Sequence, residues 1–443
     1  MQKYSLSALV AAGLLAGAMT TGANAADLGG NCCADLEERV AELEATTARK
    51  GNRKVSLTIS GWVAEQVLFW DDGVESNAYI TGTGATLASH FKLTGQATIA
   101  PGYQAGYVLH VETASVDPFA VNQNNDDATL FPSVSMLQSY WFINSERMGK
   151  LSLGQLSQAS DNTAILVDGS GSLVPANWLL IEGSSFLMRS NGNFVNDIFG
   201  NPISWGAGVA KCHHTGLGIA ADCNGLPLNA IRYDSPAFGG FSVSASWGED
   251  DFWDVAARYA GEFNGVKIAI AAAYSHQSDE PAGIARQDSG YFQVGAYVQH
   301  VPTGLFVYGA YGHEDNNNSA MPAVDGFPIG FAPDNDHYYI KAGLRRKWTP
   351  LGHTVAYGEF GSYNDQYGAD LLDASTGFGF VGGRTASSEM RTWGLGVVQE
   401  IDAAAMSLWL TYRNVDGEIT GDTGGRIDLD TLHLVKAGAM INF

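Results

Sequence analysis

Asp161, Asp168, Glu182 and Asp197 lie on one long link of this 443-residue chain, and Arg232, Arg258, Lys341, Arg345 and Arg413 lie on strand-like runs after it. Carboxylates and cations facing each other across water set up a transverse field, which orders water and charged solutes and slows apolar ones. Parity selects the cations, because side chains of a strand alternate between its faces. Ile231 and Tyr233 flank Arg232. Val255, Ala257 and Tyr259 set Asp254, Arg258 and Glu262 on the opposite face. Tyr338, Ile340, Ala342 and Leu344 do the same for Lys341, Arg345 and Lys347, as Leu408, Leu410 and Tyr412 do for Arg413. Charges on the wet face of such a wall are also simply solvated, so parity alone does not put them at a narrow point.

The same link carries Cys212 and Cys223, with ten residues between them. In an oxidising compartment that pair suits a disulfide. Cys212-His213-His214 with Cys223 would instead offer four metal ligands, at an irregular spacing; neither a metal nor a cofactor is expected. Cys32 and Cys33 are adjacent, and since adjacent cysteines rarely bond each other, a bond between subunits is open to them. The remaining histidines (His90, His110, His276, His300, His313, His337, His353, His433) are scattered, and no serine sits in a nucleophile setting, so hydrolytic chemistry is not expected.

The elements that position these residues are strands. Val55–Val67 alternates apolar and polar almost without error, and similar runs recur to Thr431–Phe443, sixteen in all. In the last one Val435, Ala437, Ala439, Ile441 and Phe443 share a wholly apolar face that ends in an aromatic. Tight turns such as Pro101-Gly102, Asn264-Gly265, Pro302-Thr303-Gly304 and Pro350-Leu351-Gly352 alternate with long polar links such as 71–86, 117–135, 314–336 and 364–389. That rhythm marks a transmembrane β-barrel, and sixteen strands are enough to enclose water. The expected fold is therefore all-β, a 16-stranded antiparallel barrel over 55–443. The longest link, about 157–227, is partly apolar (Leu173, Val174, Trp178, Leu179, Leu180, Phe186, Leu187) and should pack into the lumen or on a neighbour.

The N-terminus reads as an export leader: Lys3, an apolar stretch from Leu6 to Met19, then Ala23-Asn24-Ala25 before a cut after residue 25. Between 26 and 54 lies a short helical pattern, Leu36, Val40 and Leu43 among Glu and Arg. It suits either a coil between several copies or a lone amphipathic helix at the barrel mouth. No later segment suits a transmembrane helix, and a membrane can be crossed otherwise only by a closed barrel. The formal charge of −22 becomes −23 when Lys3 is removed with the leader. This acidity argues against nucleic acid as a partner.

With its leader, its acidic helix running into Arg49-Lys50-Gly51-Asn52-Arg53-Lys54, and the tracts Gly61-Trp62, Phe69-Trp70-Asp71-Asp72 and Val167-Asp168-Gly169-Ser170-Gly171-Ser172 before a terminal Phe443, the chain resembles the general diffusion porins of alphaproteobacteria. The resemblance spans the mature chain. It implies a homotrimer in the outer membrane, in contact with lipid and lipopolysaccharide, with both termini periplasmic. It implies passive passage of small hydrophilic solutes and ions, and a third long loop, here the 157–227 link, folded inward as a constriction. A substrate-specific sugar or ion channel is the alternative, a barrel enzyme a more distant one.

Overall fold

A strand with one apolar and one polar face is complete only when each face meets its own solvent, and this chain meets that demand by closing its sheet on itself. The computed structural model describes residues 55–113, 115–129, 132–176, 183–197, 200–209, 226–249, 251–279, 287–317, 334–367, 385–421 and 424–443. The leader, the 26–54 segment, Glu182, Cys212 and Cys223 lie outside the described residues.

Sixteen wall strands are present: β1 Ser56–Asp71, β2 His90–Ala100, β3 Tyr103–Thr113, β4 Val134–Ser145, β5 Gly149–Leu156, β6 Leu228–Asp234, β7 Phe241–Gly248 and β8 Trp253–Phe263. The second half holds β9 Val266–Asp279, β10 Gln287–His300, β11 Leu305–Asn316, β12 Asp334–Thr349, β13 Gly352–Asn364, β14 Thr385–Ile401, β15 Met406–Gly421 and β16 Leu432–Asn442. Each pairs antiparallel with its sequence neighbour, and the barrel closes where β1 meets β16, from Trp62 opposite Asn442 to Asp71 opposite His433. Gly61 and Phe443 seal that seam by exchanging two backbone hydrogen bonds of 3.0 Å. A short strand, Ser76–Thr81, folds back on the end of β1, and another, Arg426–Asp428, on the end of β15.

The faces are the reverse of a soluble protein's. Val63, Phe69, Trp141, Trp247, Ile340, Leu410 and Phe443 point outward and are exposed, while Gln66, Ser152, Ser246, Gln293, Lys341 and Arg413 point inward and are buried. No helix among the described residues is long and apolar enough to cross a membrane; the crossing is made by strands. The wall is uneven in height. β6 and β7 have 7 and 8 residues, whereas β12, β14 and β15 have 16, 17 and 16. About 9–11 residues span a bilayer, so the long strands project beyond it on the side of the long loops.

Candidate functional site

The link after β5 enters the barrel, and its first stretch, 157–176, runs along the inside of the wall. A backbone taken out of water needs partners for its amides and carbonyls, and inward side chains supply them. Arg232 Nη1 donates to the carbonyls of Ser157 (2.8 Å) and Gln158 (3.0 Å). Ser246 Oγ accepts the Ala159 amide at 2.9 Å, and the Ala159 carbonyl accepts from Arg258 Nη2. Asp254 Oδ2 takes both the amide and the hydroxyl of Ser160 at 2.6 Å. Gln293 clamps both ends of the next turn, donating to the Ser160 carbonyl (2.9 Å) and accepting the Ala164 amide (2.8 Å). Further on, Tyr308, Tyr339 and Lys436 donate to the carbonyls of Ala164, Ala176 and Pro175 at 2.8, 3.1 and 2.7 Å.

At two points the fit is close enough to exclude a side chain. A Cβ on Gly295 of β10 would lie 2.1 Å from the Ala164 carbonyl oxygen, so the link passes over bare backbone there. Gly171, with φ of +84°, lies against the Arg345–Glu400 pair, and a Cβ would come within 2.6 Å of Glu400 Oε1.

The later described residues, 183–197 and 200–209, pair as a hairpin at the long-loop end of the barrel. Phe186, Met188, Val195, Ile203 and Trp205 are buried there, Phe186 edge-on to Trp70 of β1 at 5.2 Å. Arg189 holds this stretch to the rim. Its Nε lies 2.7 Å from Asp72 Oδ2, its Nη2 pairs with Glu75, and its guanidinium covers the Phe194 ring at 3.9 Å. Burial alone would raise the Asp72 carboxyl, but Arg189, Gln123 and the amides of Glu75 and Val74 outweigh it and hold the group below the ordinary carboxylate value. Asp430, after β15, accepts the amides of Asn191 (3.1 Å) and Gly192 (2.7 Å).

Among the described residues the expected acidic-link, basic-wall pairing occurs once. Lys341 Nζ lies 2.5 Å from Asp168 Oδ2, with Ser172 Oγ at 2.9 Å, and both charged groups are sealed from solvent. Three of the other cations find carboxylates on the wall itself. Arg345 forms a fork with Glu400, both oxygens at 2.8 Å, and Arg413 pairs with Glu359 at 2.9 Å. Arg232 pairs with Asp234 on its own strand at 2.7 Å. Arg258 donates to Ser244, Thr163 and the Ala159 carbonyl. Asp161 accepts from Ser157 and from Asn162 at 2.6 Å. Burial pushes its carboxyl up to about 7, against the opposing pull of Ser157 and Arg232. Asp197 stands at the rim and accepts the Asn201 amide at 2.8 Å, closing its own turn.

Two inward lysines escaped the sequence reading. Lys92 of β2 and Lys150 of β5 are part-exposed on the wall that the described part of the link leaves uncovered. The signal was present, since Phe91 and Leu93, and Leu151 and Leu153, point outward and leave the lysines inside by parity. His353, Glu400 and Asp402 bring ligand atoms within 4.8 Å of one another. Glu400 is already taken by Arg345, and Asp402 by Lys347 at 2.9 Å, so the group behaves as an ion-pair cluster.

A family model described as Gram-negative porin matches residues 8–434. No curated protein matches. Among solved structures the chain is similar to the anion-selective porin from Comamonas acidovorans, with 15% identity and a TM-score of 0.54, over 88% of this chain and 100% of that one. It is also similar to in-vitro folded OmpT, an outer membrane protein of Vibrio cholerae, with 12% identity and a TM-score of 0.50, over 89% of this chain and 99% of that one. At these identities the likeness speaks for the fold. With a family match over nearly the whole sequence and a closed sixteen-stranded barrel lined from within by one link, the chain belongs to the Gram-negative porin family and is an outer-membrane channel protein.

Proposed function

We propose that the barrel passes small hydrophilic solutes and ions by passive diffusion, and that the link after β5 is its constriction. One observation carries this reading: the 157–176 stretch is tied to inward side chains of seven wall strands, β6, β7, β8, β10, β11, β12 and β16. The narrow region lies between that stretch and the wall facing it, with Asp161, Arg232, Arg258 and Arg345 beside it and Asp168, Lys341 and Arg413 buried behind them. Glu182 and Asp197 contribute from the same link, and Cys212–Cys223 closes a disulfide in it.

The chain works as a homotrimer without cofactor or catalytic activity. Glu65 supports the trimer: it projects from the outer wall between Val63 and Val67, held by Ser115 Oγ at 3.0 Å. A carboxylate among acyl chains is unfavourable, and contact with another copy removes it from lipid. Lipid and lipopolysaccharide surround the remaining wall, whose outward Trp247 and Trp253 at one end and Phe241 and Phe263 at the other fit two interfacial girdles. The leader, residues 1–25, is removed; the 26–54 helix and both termini face the periplasm, on the short-turn side.

Purified protein in a planar bilayer tests this. Ohmic steps arriving in threes are expected, and a larger unit step when residues 183–209 are replaced by a short Gly-Ser link. A protein without conductance but with hydrolytic activity on lipid or peptide overturns the reading.

A further inference from the structure

The lumen is not electrically uniform, and the division follows the path of the link. On the half that the link covers, three cation–carboxylate pairs cancel among the described residues: Lys341 with Asp168, Arg345 with Glu400, Arg413 with Glu359. Fixed charges in contact with an opposite charge present little net field to a passing ion. On the half that the described part of the link leaves open, β2 to β5, the inward charged residues are Lys92, Glu112 and Lys150. Glu112 is only 3% exposed and accepts the Thr86 amide, which leaves the two lysines as the charges that water reaches.

Neither lysine forms an ion pair among the described residues. Lys150 stands directly across from Asp234 in the β5–β6 register. Arg232, however, takes both oxygens of that carboxylate, at 3.0 and 3.2 Å from Nε, and Lys150 Nζ instead lies over the Phe142 and Tyr140 rings at 4.5 and 5.4 Å. One carboxylate thus faces two cations. Next along the wall, Arg258 is bound by hydroxyls and a carbonyl, with no carboxylate in contact among the described residues. Gln96, Gln104, Gln138 and Asn144 share the inward face with the lysines and add neutral amide donors.

We propose that the water path along β2 to β6 is a conduit for small anions, chloride and short carboxylates among them, and that Lys92 and Lys150 set its selectivity. The proposal rests on the channel reading and goes beyond it by fixing the sign of the preferred ion, opposite to the sign of the whole chain. The −22 formal charge does not compete, because charges on loops beyond about 8–10 Å are screened at ordinary salt. The lysines act inside that distance on any ion that passes them.

The test is the zero-current potential of the purified full-length protein under a potassium chloride gradient, and again with acetate in place of chloride. Anion preference is expected in both salts. Lys92→Glu and Lys150→Glu should each move the anion-to-cation permeability ratio toward cations by about fivefold, from reversing one unit charge roughly 8 Å from the ion. Lys92→Gln and Lys150→Gln, milder in their demands on folding, should move it by about half as much on a logarithmic scale. Arg391→Glu, on the outside of the wall beside Asp416 (3.0 Å), should leave it unchanged. A cation-selective wild type, or lysine variants that conduct with an unshifted potential, overturns the proposal while leaving the channel reading intact. A wild type without conductance overturns the channel reading, and this proposal with it.

Discussion

Lys341 of β12 and Asp168 of the inserted link meet at 2.5 Å with 0% and 1% of their side chains exposed, 173 residues apart in sequence. A pair so enclosed is held by its geometry, and its members depend on each other more than the fold depends on the pair.

Asp168→Asn should therefore cost about 3–5 kcal/mol, because it leaves an ammonium buried with Ser172 as its remaining neutral partner. The link should loosen from the wall, read as faster amide exchange over 163–176 and a noisier open-channel current. Adding Lys341→Met to the same protein should restore most of the loss. If the double variant is as unstable as the single one, the pair is not what holds the link.

Gly171→Ala should shift the tip of the link away from the wall. An L-residue at φ +84° costs about 1–2 kcal/mol, and the new Cβ would also press on Glu400 and on Arg345 Nε, at 2.6 and 3.2 Å. Gly200, at φ +80° with nothing within 4 Å of its would-be Cβ, provides the control. Both changes strain the backbone, but only Gly171→Ala should alter unit conductance.

Asp161 should make the link pH-sensitive. Its carboxyl is raised from 3.8 to about 7 by burial, so the folded state holds that proton more tightly than the unfolded chain does. The stability it contributes is present below about pH 4 and is lost as pH rises toward 7. Amide exchange of residues 157–164 should accordingly quicken between about pH 4 and pH 7, measured against a reference amide in β14, and Asp161→Asn should flatten that dependence.

Arg189→Ala should free the rim hairpin. The depressed carboxyl of Asp72 contributes stability above the ordinary value of 3.8, lost as pH falls through its lowered folded value. Removing Arg189 uncovers that buried carboxylate and the Glu75 contact together, at about 2–4 kcal/mol locally. Protease cuts within 183–209 on intact cells or in detergent micelles should appear in the variant and be absent from the wild type at neutral pH.

Much of this protein was legible in its sequence because the governing rules are local. Alternation along Val63-Ala64-Glu65-Gln66-Val67-Leu68-Phe69 follows from strand geometry, and a two-faced strand read sixteen times, with turns and long links in rotation, leaves a closed barrel as the arrangement in which both faces are satisfied. The same rule put Arg232, Arg258, Lys341, Arg345 and Arg413 on the inner face, where the structure has them. It would have put Lys92 and Lys150 there as well. The length and apolar content of the link suggested that it would pack against something, as Leu173, Val174 and Phe186 do, while Trp178, Leu179 and Leu180 lie outside the described residues.

Partnership was beyond the sequence. Parity states which face a charge is on, but not its height on the wall or what stands opposite. Glu400 reaches Arg345 across β13, which lies between their strands, and Glu359 reaches Arg413 across β14. Those meetings depend on the register of each pair of strands and on the tilt of the closed barrel. The path of the link depends on how seven strands offer donors and acceptors to one stretch of backbone. Sequence thus determined that the lumen would be charged; only the tertiary structure decided which charges cancel, because cancellation is a matter of a few ångströms between residues far apart in the chain.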